Sequence, residues 1–233
     1  MKEFLSVRGV AFESCDVAND VDAAVRLRAL GVRSVPVVAV GNAATGAKRF
    51  AFGVDLRAVA ELVGVPFQAS PALPVAELKH RLGAAVKTAM RLVSEFPPDR
   101  LQDKLPRRNR TCLALANHVV EIAAVFLRVC DGAPFDVEAS AAIVPTELGV
   151  AELRVRSKAV ALRLDEAPVR GSRMVETFFG PQPLHLVLER CAWHTIQHAR
   201  QLEMMLARTG VAPSQPIPPH LLADLPLPQA VWD

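Results

Sequence analysis

Four long segments with helical periodicity occupy residues 75–210 and constrain the fold of this chain more than any other feature. Apolar residues recur in them at three- and four-residue steps, which is the pattern of one buried helix face. The last segment stops before Gly210, a residue type that ends helices in the left-handed conformation. Such segments pack as a four-helix bundle with long crossover connections. We therefore predict helices over residues 75–96, 111–130, 150–166 and 183–208.

The first 66 residues follow a different pattern, in which short strands alternate with helices. After the tail of a helix at residues 4–9, we predict strands over residues 10–17, 34–40 and 48–52 and helices over residues 19–30 and 56–63. This order is that of an α/β module without its first strand. The predicted fold class is therefore a multidomain α+β protein, with a thioredoxin- or glutaredoxin-like α/β module followed by a helical bundle.

Proline-rich segments separate and end these parts. A linker of proline and small residues covers residues 67–74, so the predicted domains are residues 1–66 and 75–210. Six prolines mark the tail over residues 211–233, which we expect to be an extended arm that lies on the bundle or on a partner.

Composition excludes several classes of protein. A hydrophobic content of 51% with 22% charged residues excludes a disordered chain, and a mean hydropathy of +0.24 favours a homodimer. A net charge of +3 and the absence of tyrosine argue against nucleic acid as a partner. The apolar segment 111–130 contains charged residues, so we expect a buried helix and no membrane partner. Four widely spaced cysteines and no signal peptide predict a reducing, cytoplasmic location.

Three histidines lie on predicted inward faces of two helices. His194 and His198 are four residues apart, on the stripe that carries Cys191 and Leu202, so their rings leave successive turns on the same side. A buried neutral imidazole needs both a donor and an acceptor, and one divalent ion would satisfy three rings while keeping an open coordination position. The alternative is three ordinary histidines, each hydrogen-bonded to backbone. The third histidine, His118, lies on the second helix. It shares one face of that helix with Leu115, Ile122 and Val125.

Other side chains are candidates for the same site. Cys191, one turn before His194, is either a fourth ligand or a small core residue. Glu121, one turn after His118, is a ligand, a partner of a ligand, a catalytic base or an exposed helix residue. Four polar residues flank the predicted site and could orient a substrate, the first two being the candidate catalytic groups: Glu121, Gln201, Asn117 and Arg200.

The bundle segment resembles the DinB/YfiT-type family of metal-dependent four-helix bundles. The resemblance covers residues 75–210 and rests on Asn117-His118 and on the pattern W-H-x-x-x-H-x-x-Q-L over residues 193–202. It implies a divalent metal ion, Zn or Ni, held by His118, His194 and His198. Several members of the family are S-transferases or isomerases that use low-molecular-weight thiols, so the resemblance also implies glutathione or another such thiol as a cofactor.

The first 66 residues resemble a glutaredoxin in segments 9–17, 29–38 and 52–65. Val35 and Pro36 match the loop whose proline is cis in that fold. Gly53 and Asp55 match the turn that helps to hold the carboxylate and amine of a thiol. The resemblance implies that these four residues bind a thiol cofactor.

The chain departs from the glutaredoxin pattern at its start. The first strand and the CxxC or CxxS motif would precede residue 1, and Cys15 lies on the predicted second strand, where it cannot replace the missing nucleophile. We therefore do not expect disulfide exchange. Either the natural start lies upstream, which we favour and which makes Met1 an internal methionine, or the module is truncated. Mass spectrometry of the native N-terminus distinguishes the two.

Two functional hypotheses follow. In the first, the protein is a metal- and thiol-dependent transferase or isomerase whose partners are a small thiol and an electrophile. Arg107 and Arg110, in a basic loop before the helix of His118, would then pair with carboxylates of a peptide thiol, unless the loop is merely solvated. In the second, the protein is a non-catalytic metal-binding, stress-response or redox-interaction module. An open coordination position indicates the first hypothesis, and a fourth protein ligand indicates the second.

Overall fold

The structure, a computed structural model, shows a helix-rich chain with two small two-stranded sheets in the part that it describes. It describes residues 1–17, 19–32, 34–41, 48–68, 72–106, 110–135 and 149–231. The chain divides into two compact units, Met1–Ser70 and Pro71–Trp232. The division lies inside the segment 67–74 that the sequence marks as a linker.

The first unit is a helix-flanked β-hairpin. Strands β1 and β2 pair antiparallel, with Val37 opposite Phe52. The side chains of Asp20 and Asp55 each accept a backbone hydrogen bond at the start of a helix, which satisfies one of the amides left unpaired there. In chain order the elements are α1 Lys2–Ser6, α2 Val21–Ala29, β1 Val37–Gly41, β2 Lys48–Phe52 and α3 Leu56–Val63.

Two strand predictions in this unit need correction. Residues 10–17 form no strand, because the structure pairs them with no other strand, and the Val10 amide instead bonds to the Leu5 carbonyl at the end of α1. The strand predicted over residues 34–40 begins only at Val37. It follows Pro36, which has no amide hydrogen to donate to a ladder. The hairpin partner, the helix α3 and the turn at Gly31 are where the sequence places them.

Four long helices make up most of the second unit. Each agrees with its predicted bounds to within one residue. The Thr111 hydroxyl accepts a hydrogen bond from the amide of Ala114 and so caps the second of them. The helices are α4 Val75–Glu95, α5 Cys112–Cys130, α6 Val150–Glu166 and α7 Leu184–Arg208, with the short strands β3 Met174–Val175 and β4 Gln182–Pro183 before α7.

The four helices share one apolar core. Helices α4 and α5 pack against each other, and each also packs against α6 and α7. Among the described residues, only α5 is long and apolar enough to cross a membrane, and 78% of that apolar stretch is buried inside the protein. The largest side chains completely buried in this core include Phe126, Leu78, Leu82, Leu115, Leu188 and Leu202.

The tail lies on the bundle, which is the first of the two placements that the sequence allows. We call residues 211–231 the C-terminal strap. It contains the one-turn helix α8, Pro219–Leu222, and buries Ile217, Leu221 and Leu225. Charged and polar side chains of α4 and α7 hold its backbone at several points. Most of these side chains are donors to its carbonyls: Arg81 to Ala223, Arg91 to Gln215, and Arg200 to Pro228 and Gln229.

Candidate metal centre

Three imidazole rings from two helices meet inside the second unit. His118 lies on α5, and His194 and His198 lie one turn apart on α7. The ring centroids are 4.6 Å apart for His194 and His198, 5.1 Å for His118 and His198, and 5.6 Å for His118 and His194. One ligand nitrogen from each ring lies within 4.8 Å of the other two. The cluster could therefore hold a metal ion.

The apolar stripes that predict this meeting are buried as expected. On α5, Leu115, Ile122 and Val125 are buried beside the half-buried His118. On α7, Cys191 and Leu202 are buried on the stripe that carries the other two rings. Because both stripes face one core, the packing of α5 against α7 brings the imidazoles together.

His198 is oriented by a neighbour on its own helix. Its Nδ1 lies 2.8 Å from Oε1 of Gln201. An amide oxygen only accepts hydrogen bonds, so Nδ1 carries the proton and Nε2 is the nitrogen that can ligate. Histidine ligands of metals are usually held in this way, by an acceptor on the other ring nitrogen. Gln201 is held in turn, because its Nε2 donates to the carbonyl of Val231 in the C-terminal strap, at 3.1 Å.

The surroundings of His194 keep it neutral. Burial lowers its pKa well below the usual range, and the charges of His198, Arg190, His118 and Arg110 lower it further, in that order. Only a deprotonated imidazole can bind a metal ion. His194 is thus in the ligating form across the physiological pH range.

Neither candidate for a fourth ligand joins the three rings. Cys191 is buried, and burial raises the pKa of its thiol to about 12, so it is protonated at neutral pH. The carboxylate of Glu121 forms an ion pair with Arg156 of α6. In the described part of the chain, the set of convergent histidine, cysteine and acidic ligands consists of the three histidines alone. Such a set leaves a coordination position open.

Arg156 of α6, which pairs with Glu121, also holds Asn117, the residue before His118. Nη1 of Arg156 donates to Oδ1 of Asn117 at 2.9 Å, while its other terminal nitrogen pairs with Glu121. Asn117 and Glu121 are one turn apart on α5, so one side chain from α6 fixes both. Glu121 is therefore an ion-paired carboxylate on the helix of His118.

The predicted basic loop is described only at its end. Arg107 lies outside the described residues. Arg110 is half-buried, and its charge is close enough to lower the pKa of His194. Arg200 of α7 instead holds the C-terminal strap, through the carbonyls of Pro228 and Gln229.

Of the residues predicted to bind a thiol in the first unit, Val35 and Pro36 directly precede strand β1, and Gly53 and Asp55 lie between strand β2 and helix α3. The Val35–Pro36 peptide bond is cis, as the resemblance implies, and the Gly53 amide donates to the Pro36 carbonyl at 2.7 Å. A Cβ at Gly53 would lie 3.1 Å from Pro36 and would collide with the sulfur of Met1, so a larger residue would require both side chains to shift. Asp55 uses a carboxylate oxygen to accept from the amide of Ala58, as the N-cap of α3.

Three residues near the cluster are absent from the sequence-based set of candidates. Arg190 lies one turn before His194 on the same face of α7, and Trp193 places its ring centroid 5.6 Å from that of His194. The four-residue spacing of Arg190, His194 and His198 is a signal that could have identified the arginine. Arg156 comes from α6, and no spacing within one helix could have pointed to it.

Comparisons with protein-family models, curated proteins and solved structures find no match for this chain. The resemblance to a family of metal-dependent bundles therefore stays a prediction from the motif residues.

Proposed function

We propose that the second unit is a DinB-like bundle in which His118, His194 and His198 hold one divalent ion, Zn or Ni, for the thiol-dependent transfer or isomerisation of a small substrate. The observation that carries the proposal is the convergence of three ligand nitrogens within 4.8 Å from two helices. Three imidazoles with a vacant fourth position form the ligand set of a catalytic zinc-type centre.

The donor set fits a borderline metal ion. All three ligands are neutral nitrogen donors, which suit Zn and Ni better than Ca or Mg. The hydrogen bond from His198 to Gln201 fixes the tautomer that a ligand needs. A bound ion would supply Lewis acidity, which lowers the pKa of a thiol or a water at the open position.

The chain's own residues would then position the reactants. Gln201 holds the ring of His198, and Arg156 holds Asn117 and Glu121 at the edge of the site. The positive charges of Arg190 and Arg110 favour an anionic sulfur over a neutral one. In the transfer, the thiol releases its proton to solvent, its sulfur bonds to an electrophilic carbon, and the bond from that carbon to a leaving group breaks, so that the leaving group departs with the electron pair. In an isomerisation, the same carbon–sulfur bond forms and later breaks.

The first unit would contribute a surface for the thiol. We propose that it is a glutaredoxin-like module in which Val35, Pro36 and Gly53 line the binding surface, supported by the hydrogen bond from the Gly53 amide to the Pro36 carbonyl. Asp55, the N-cap of α3, would contribute its carboxylate to the same thiol-binding surface. A cytoplasmic homodimer remains part of this proposal.

Metal analysis followed by an activity screen tests the proposal. Purified protein should contain about one divalent ion per chain. The ion-loaded protein should then accelerate the reaction of glutathione with 1-chloro-2,4-dinitrobenzene, in which sulfur replaces chloride. Removal of the ion with a chelator should abolish the rate, and addition of Zn or Ni should restore it.

Three outcomes would contradict the proposal. Protein without an ion that also fails to bind added Zn or Ni has no metal centre. Turnover that survives chelation does not use the centre. Stoichiometric metal with no turnover across a panel of small thiols and electrophiles identifies a non-catalytic metal-binding module instead.

A further inference from the structure

Arg190 places a buried positive charge one turn from the histidine cluster. Arg190, His194 and His198 are four residues apart in succession, so they share one face of α7. The Nη1 atom of Arg190 is buried and has no hydrogen-bond partner among the described residues. No aspartate or glutamate in the same part of the chain forms an ion pair with it. A buried guanidinium N–H without an acceptor is costly, which is a reason to expect that a ligand supplies the acceptor.

Aromatic rings surround this guanidinium. Its central carbon lies between 5.5 and 6.0 Å from four ring centroids. Ring faces attract the cation but do not accept its in-plane N–H groups as a carboxylate does. The rings also provide an apolar wall for the body of a ligand. They belong to Phe135, Phe178, Phe179 and Trp193.

The charged side chains that act on His194 are all positive. Arg190 and Arg110 both act on His194, and the three ligand rings are neutral when they hold an ion. A bound divalent ion would add two further positive charges. Glu121, one turn after His118 on α5, is already paired with Arg156. A ligand with a negative charge is therefore favoured over a neutral one.

We propose that Arg190 is the docking residue for the carboxylate of a small apolar acid, whose body lies against the four aromatic rings and whose reactive end points to the histidine cluster. The position at the cluster rests on the proposed function, whereas carboxylate binding by Arg190 does not. One planar guanidinium fork matches one planar carboxylate. A phosphate with two charges would need several further donors, and the three phenylalanine rings provide none.

Calorimetric titration of the metal-free protein with benzoate tests the carboxylate site. Arg190→Met keeps an unbranched apolar side chain and removes the guanidinium with its charge. We expect it to bind benzoate at least about tenfold more weakly than the natural protein. Arg190→Lys keeps a positive charge but lacks the planar guanidinium, so its benzoate affinity should lie between those of Arg190→Met and the natural protein. The matched control is Arg208→Met, an exposed arginine at the end of the same helix, which should bind benzoate as the natural protein does.

Several results would overturn the inference. Equal benzoate affinity in Arg190→Met and the natural protein, with circular dichroism showing both folded, would exclude Arg190 as the docking residue. Absence of benzoate binding to the natural protein would exclude the site. Equal binding of the uncharged benzyl alcohol would show that the rings alone recognise the ligand. Tighter binding of inorganic phosphate than of benzoate would show that the site recognises phosphate and not a carboxylate.

Measurements of metal binding and benzoate binding together distinguish a failure of this inference from a failure of the proposed function. If the three histidines bind no metal but benzoate still depends on Arg190, the carboxylate site stands without the metal centre. If metal binds but benzoate does not, the metal centre stands without the carboxylate site. With both present, 3-mercaptopropionate should bind the metal-loaded protein at least about tenfold more tightly than 1-propanethiol, because its thiol and carboxylate engage both points. Equal affinities for the two thiols would contradict the shared site.

Discussion

The Nδ1 atom of His198 and the Oε1 atom of Gln201 lie 2.8 Å apart on consecutive turns of one helix. This contact fixes both the tautomer and the rotation of the ring. It also links the histidine cluster to the C-terminal strap, because the amide nitrogen of Gln201 donates to the carbonyl of Val231. The orientation of the His198 ring thus depends on a residue 33 positions further along the chain.

Gln201→Ala should weaken metal binding about 10- to 100-fold, because His198 loses the acceptor that orients it. Competition with a chromogenic chelator measures the affinity. Gln197→Ala is a matched control, since Gln197 donates to the same Val231 carbonyl without a described contact to His198. Gln201→Glu should retain affinity, because a carboxylate also accepts from Nδ1. Equal losses in Gln201→Ala and Gln197→Ala would assign the effect to the strap.

Replacement of any ligand histidine should remove the metal without unfolding the bundle. His118→Ala, His194→Ala and His198→Ala each delete one of three nitrogens, and affinity should fall at least about a hundredfold. Elemental analysis of the purified variants gives the stoichiometry, and circular dichroism gives the helix content. His80→Ala, on the exposed face of α4, should keep the metal. Full metal content in all three ligand variants would show that the ion binds elsewhere.

Attachment of the strap at Ser214 should weaken in acid. Burial raises the pKa of Glu95, but hydrogen bonds from the hydroxyl and amide of Ser214 and from Arg91 outweigh it, so the pKa is lowered from 4.5 overall. The folded pKa is therefore below the unfolded one. The carboxylate's contribution to stability is complete above about pH 4.5 and is lost as pH falls through the lowered value.

Nuclear magnetic resonance can follow this transition at a single amide. The Ser214 amide donates to Glu95, so its proton shift should titrate with a midpoint below 4.5. Glu95→Gln should abolish that titration. A midpoint above 4.5 in the natural protein would mean that burial outweighs the hydrogen bonds.

The cysteines should differ widely in reactivity. Burial raises the pKa of Cys112 to about 11 and that of Cys191 to about 12, so about one Cys191 thiol in ten thousand is ionised at pH 8. Cys15 is exposed. Iodoacetamide at pH 8 should modify Cys15 first, and mass spectrometry of the peptides gives the order. In guanidinium chloride all four should react at similar rates. Rapid native modification of Cys191 would place its thiol at an open site.

Sequence periodicity predicted the bundle well because each long helix carries its own signal. The apolar stripe, the Thr111 cap and Gly210 set the bounds of the helices locally. The meeting of His118, His194 and His198 follows from two such stripes facing one core. A strand carries no such local signal, because it forms only when another strand pairs with it. Residues 10–17 have the composition of a strand, but no described strand pairs with them.

Contacts between distant segments were beyond the reach of sequence patterns. The ion pair of Arg156 with Glu121 joins α6 to α5, and nothing in either helix alone specifies it. The aromatic rings around Arg190 come from three separate segments. Asp55 shows a different limit, because its carboxylate suits a ligand site and a helix cap equally well until the structure shows the bond to Ala58.

The strap is held near the cluster mainly through its backbone. Arg200, Gln197 and Gln201 all bond to main-chain carbonyls of residues 228–231, which every amino acid possesses. Mutations that exchange the side chains there should accumulate across related species with little penalty. Alignments would then score this stretch as unimportant, although its path along α7 secures a ligand of the cluster.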